Sequence, residues 1–152
     1  MKKAPYIVKN KKAFFDYEIL ETWEAGIDLN GHEVKSIRAW QVNLKWSYIS
    51  GISWSLYLKG ASITPWKALP NTSHIVSERE RKVFLHKKTI DYLQTKSKEG
   101  SYAILALEIY LKGSLIKVKV ALAKWKKLYE KKESLKRKTI DKDIRRAMSK
   151  NY

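Results

Sequence analysis

Cysteine is absent from the 152 residues, which excludes a disulfide framework and any thiolate metal site. Long apolar runs are also missing. The N-terminal "MKKAPYIVKNKKAFFDYE" is basic but lacks the apolar core of a signal peptide, and no stretch approaches the roughly 18 residues of a membrane span. A cytoplasmic protein with no membrane partner is expected. Histidine is scarce, and His32, His74 and His86 show no metal-ligand spacing. There is no HExxH motif and no phosphate-cradling glycine loop, and most carboxylates sit among lysines as surface ion pairs. No catalytic residue, metal or cofactor is therefore expected.

Acidic residues are few. Fifteen Asp+Glu stand against 32 Lys+Arg, leaving a net charge of +17 that repels itself unless a polyanion is bound. Nucleic acid and anionic membrane are the usual polyanions. Hydrophobic residues still make up 44% of the chain, enough for one domain with a modest core. The basic excess gathers at the ends. Residues 1–12 form an arm with five lysines and no acid, and residues 124–152 hold 12 Lys+Arg against 4 Asp+Glu.

Between them, Tyr17, Ile19 and Trp23 fall on alternate positions of a strand that Glu21 interrupts, with a helix as the alternative, and Asn30-Gly31 marks a turn. "HEVKSIRAW" suits a short helix, and "SYISGISWSLYLKGASITPW" reads as a hairpin. "KALPNTSHIVS" is a polar loop. A helix is predicted from Ser77, capped against Glu80 and ending at Gly100, with Val83, Phe84, Ile90 and Leu93 as its buried stripe. The clearest pattern is "SYAILALEIYL" and "SLIKVKVALA" around Lys112-Gly113-Ser114. In its second half Ile116, Val118, Val120 and Leu122 alternate with Lys117 and Lys119, giving one buried and one basic face. Five or so strands with two short helices and short turns predict a mainly β domain, an OB-like antiparallel barrel over residues 13–123. The 124–152 tail carries Ile140, Ile144 and Met148 at helical spacing. It buries too little alone and is expected to be disordered when free and helical when bound.

Lysines interleaved with aromatics suit phosphate neutralisation, with Trp125 or Tyr129 stacking on a base. The competing reading is a solvated charge run. Terminal extensions and a basic strand face together favour RNA, although charge alone does not separate it from DNA.

The ordered motifs "WEAGIDLNGHEVKSIR", "NLKWSYIS", "ITPW", "ERERKVFLHKKTIDYL" and "KVKVALAKWKKLYEKK" resemble the SsrA-binding protein (SmpB) family from about Lys9 onward. The resemblance implies a monomeric, non-enzymatic barrel that binds the tRNA-like domain of transfer-messenger RNA (tmRNA) and carries it to stalled ribosomes. The tail would enter the empty mRNA channel and decoding centre of the small subunit. The runner-up is a basic OB-like ribosomal protein with a structural rRNA-binding role. Carried over by position, the RNA-contacting residues of the barrel are Asn10, Glu24 and Phe84, supported by Lys11, Lys12, Arg79, Arg81 and Lys82. Phe84 stands where the family usually has Leu, and could equally be plain core. Glu33 reads as a fold-specifying residue. In the tail the carried-over set is Lys124, Lys126, Lys127, Tyr129, Glu130, Lys131 and Lys132, followed by Lys136, Arg137 and Lys138. Lys132 replaces a family Arg and would lose bidentate phosphate geometry.

Trp40, Trp46, Trp54 and Trp125 stand where the resemblance implies glycine, and the chain has only six glycines beside six tryptophans. UGA codons read as glycine in some bacterial lineages would produce this pattern. Real divergence, with Trp125 gained for stacking, is the rival explanation.

Overall fold

The clearest alternation in the sequence forms the spine of the structure, a computed structural model that describes residues 6–65 and 77–127 together with Lys132. Strand β8 (Tyr102–Lys112) turns at Gly113-Ser114 into β9 (Leu115–Trp125), and the two pair antiparallel along nearly their whole length. Val118, Val120 and Leu122 face inward and are buried, while Lys117 and Lys119 alternate outward, as period-2 patterning demands. At the other end of the hairpin both faces are covered. Leu105, Leu107, Ala121 and Ala123 pack beneath Ala13 and Phe14, which explains why "AILAL" reads as a continuous apolar run.

Ala13 and Phe14 belong to α1 (Lys11–Asp16), which follows β1 (Tyr6–Lys9) and leads directly into β2 (Tyr17–Ile27). Next come α2 (Gly31–Arg38), β3 (Val42–Asn43), β4 (Tyr48–Ile52), β5 (Ser55–Lys59), β6 (Ser62–Ile63), β7 (Arg81–Phe84) and α3 (Lys87–Ser97). The seven-stranded sheet runs β1-β8-β4-β5-β7-β2-β9, and the β8–β9 pairing closes it into an antiparallel barrel. Strands β3 and β6 pair separately. The barrel shares one core with α2 and α3, in which Ile37 of α2 and Leu93 of α3 are fully buried with Leu56, Leu58, Val83 and Ile109. The fold is thus mainly β with short helices, as the sequence predicts.

Three expectations are corrected. The helix starting at Ser77 does not form. Arg81 and Val83 are buried while Lys82 and Phe84 are exposed, the alternation of a strand, and the helix begins only at Lys87 behind His86. Phe84 is 51% exposed and so is not core. Nor is the N-terminal arm separate from the barrel over its described part, because β1 pairs with β8 and α1 starts at Lys11. The tail past Lys127, Lys132 aside, lies outside the described residues. No helix among those residues is long and apolar enough to cross a membrane.

Candidate nucleic-acid interface

Register decides which side chains share the outer face. Glu24 of β2 lies opposite Lys119, and Gly26 lies opposite Lys117 on one side and Phe84 on the other. Residues directly opposite in an antiparallel pair point the same way. Lys119 in turn faces Glu108, and Lys117 faces Tyr110. Across β7, Lys82 lies opposite Tyr57. One continuous surface therefore carries Lys82, Lys112, Lys117 and Lys119 among Tyr57, Phe84 and Tyr110. Phosphates need the cations and unstacked bases need the aromatic faces.

Glu24 sits inside this basic field. Its Oε2 accepts from the Tyr110 hydroxyl at 2.6 Å and its Oε1 from Lys112 Nζ at 3.0 Å. The bond from Tyr110, then that from Lys112, holds the carboxyl below the usual carboxylate range. Burial, then the same bond, pushes the Tyr110 hydroxyl far above its ordinary value. At neutral pH the pair is thus a carboxylate and a neutral phenol. The Phe84 ring lies over Gly26, with Lys82 Nζ 5.6 Å from its centroid.

Other expected contacts are placed differently. Arg81 is wholly buried: its guanidinium binds Glu33 and donates to the carbonyls of Ala61, Arg79 and Ser77. Its side chain faces the interior, where it holds the fold together with Glu33, which is 1% exposed. Arg79 is half spent on the same carboxylate, at 2.6 Å. Asn10 is 4% exposed; it caps α1 by accepting from the Ala13 N–H and donates to the Ala106 carbonyl. Its side chain is thus engaged inside the fold. Lys12 pairs with Asp16 at 3.3 Å, whereas Lys11 and Lys82 are exposed.

Lys124 ends β9 exposed, and Lys126 is tied back through its backbone N–H to the Asp16 carbonyl. Lys127 and Lys132 are exposed. Tyr129, Glu130, Lys131, Lys136, Arg137 and Lys138 lie outside the described residues. Sequence reasoning missed Tyr57, Tyr110 and Lys112 as members of the face. The alternation in β8 and β9 signals the outward side, but the register against β2 and β7 is needed to bring them beside Glu24. No group of three or more His, Asp or Glu side chains suited to a metal occurs among the described residues.

Known proteins resemble the chain over nearly its whole length. The family model described as SmpB protein matches residues 7–150. An SsrA-binding protein of Trichormus variabilis is 44% identical over 146 residues, spanning 96% of this chain and 94% of its own. Another, from Fusobacterium nucleatum subsp. nucleatum, is 39% identical over 145 residues, with 95% of this chain and 97% of its own covered. A solved structure described as "tmRNA-SmpB: a journey to the center of the bacterial ribosome" matches with a TM-score of 0.67 at 37% identity, covering 84% of this chain and 93% of that one.

Proposed function

The chain belongs to the SmpB protein family, and on that premise we propose that it is an RNA-binding factor of trans-translation. The outer barrel face binds the tRNA-like domain of tmRNA, and the protein delivers that RNA to stalled ribosomes. The tail from Lys124 to Tyr152 enters the vacant mRNA channel and decoding centre. Lys124, Lys126, Lys127, Tyr129, Lys131, Lys132, Lys136, Arg137 and Lys138 contact ribosomal RNA, beside Glu130. The protein works in the cytoplasm as a monomer and catalyses no reaction.

The observation that carries the barrel's part is the setting of Glu24. A carboxylate repels phosphate, so a lysine field built only for charge gains nothing from one at its centre. A face that also recognises base or ribose donors does.

The test is binding to the tRNA-like domain against excess bulk tRNA at physiological salt. Glu24→Ala and a chain ending at Lys127, which retains all of β9, are measured alongside. Selectivity that falls by about tenfold with Glu24→Ala and survives truncation places recognition on the barrel. Equal, steeply salt-sensitive binding to every RNA overturns the reading.

A further inference from the structure

The two bonds on Glu24 determine what it has left to offer. An ionised carboxylate has about four lone-pair positions, two on each oxygen. Tyr110 occupies one on Oε2 and Lys112 one on Oε1. One acceptor position remains on each oxygen, on a fork that these bonds fix in orientation. Among unpaired RNA groups, the ribose 2′-hydroxyl and the amino groups of adenine and cytosine each present a donor to one oxygen. Only the Watson–Crick edge of guanine presents two parallel N–H donors, N1–H and an N2 amino hydrogen, matched to both oxygens.

Beside the fork the surface is shaped for a flat ring. Gly26 lies two residues from Glu24 on the same face, directly opposite Phe84, whose ring is 51% exposed. The Phe84 side chain lies over Gly26, 3.5 Å from where a Cβ would stand, and presents its other side to solvent.

We propose that Glu24 reads the Watson–Crick edge of an unpaired guanine whose ring stacks on the exposed side of Phe84. This rests on the RNA-binding reading above and names the base that the face selects. Tyr110 and Lys112 are positioning residues, and Lys82, Lys117 and Lys119 take the flanking phosphates.

The experiment uses the full chain with synthetic RNA hairpins whose loops are uridine apart from one guanine, inosine or adenine, beside the tRNA-like domain itself. Inosine keeps N1–H and lacks the amino group. The unmodified protein is expected to bind the guanine loop about tenfold more tightly than the inosine loop, and Glu24→Gln to bind the two alike. Phe84→Ala should weaken binding of the guanine and inosine loops alike by about tenfold. A guanine-to-inosine ratio within about twofold, or one unchanged by Glu24→Gln, overturns the proposal. If the tRNA-like domain is still selected while the loops bind alike, only the guanine assignment falls. If that domain binds no better than bulk tRNA, both readings fall.

A second inference stands on the backbone alone. Trp40 has φ 66° and Trp46 φ 69°, in the left-handed region that glycine enters freely. At the end of α2 the Trp40 N–H donates to the Ile37 carbonyl and the Gln41 N–H to the Ser36 carbonyl. Those bonds define a Schellman ending with Trp40 at the position where glycine prevails. Trp46 is the third residue of a turn closed by the Ser47 N–H on the Leu44 carbonyl, the site that type II turns reserve for glycine. Both side chains are about two-thirds exposed, so packing does not explain them. We infer that glycine occupies positions 40 and 46 in the protein as its own cell makes it. UGA codons at both positions and glycine in the matching peptides of protein purified from that cell are expected. Trp40→Gly with Trp46→Gly should raise the melting temperature by about 4–10 °C. UGG codons, or tryptophan in those peptides, overturn it. The backbone makes no such demand at Trp125 or Trp54; in the turn between β4 and β5 the left-handed residue is Ser53, φ 54°.

Discussion

Glu33 shows why the same residue type takes opposite roles a few strands apart. Glu24 is exposed and its fork is half free, whereas both Glu33 oxygens are committed to Arg79, Arg81 and the Asn30 N–H. Burial pushes the Glu33 carboxyl up, but these donors outweigh it and hold it below the usual range. A depressed folded pKa contributes stability that is complete above the unfolded value, about 4.3, and is lost as the pH falls through the lower folded value. Glu33→Gln is therefore expected to cost about 3–5 kcal/mol at neutral pH. It should also flatten the loss of stability below about pH 4.3. Urea unfolding of both proteins from pH 3 to pH 7 checks this, and parallel acid limbs would contradict it. Glu33 was legible as a fold residue because it opens a helix behind Asn30-Gly31. Arg81 was not, since nothing local distinguishes a buried arginine from the half-buried Arg79 two residues away.

Among the elements, β8, β9 and α2 could be read from sequence because hydrophobic period and turn residues agree there. Helix α1 and strand β7 could not. The six residues of α1 complete fewer than two turns, so its existence rests on what it covers, the outward apolar end of the β8–β9 hairpin. β7 has four residues, of which a buried arginine is one. The alternation of Arg81 with Val83 is invisible to a reading in which arginine counts as polar. The cap of α1 makes the point testable. Asn10→Ala removes the acceptor for the Ala13 N–H and leaves the Ala106 carbonyl without its donor. A loss of about 2–4 kcal/mol is expected, with Asn10→Asp recovering the cap but not the donor. Affinity of the folded variants for the tRNA-like domain should stay within about twofold, because Asn10 is too buried to touch RNA. A large loss of affinity without loss of stability would restore it as a contact.

For the whole molecule, the +17 charge acts in two directions at once. In the free protein it opposes compaction, and RNA relieves it. Raising salt from about 0.01 M to 0.15 M shortens the screening length from about 30 Å to about 8 Å. The free protein should therefore melt at a higher temperature while its affinity for RNA falls. The question is whether the tail shares in tRNA-like-domain binding. Residues beyond Lys127 carry nine Lys+Arg against four Asp+Glu. Were charge alone at work, removing them would reduce the slope of log affinity against log salt, by about 0.7–0.9 for each phosphate no longer neutralised. On a barrel whose outer face supplies the phosphate-binding cations, the slope for the tRNA-like domain should be unchanged within about one unit. Affinity for ribosomes should collapse. The salt titration thus separates two surfaces that composition merges into a single number: a face fixed by the register of β2, β7, β8 and β9, and a tail proposed to engage a different RNA.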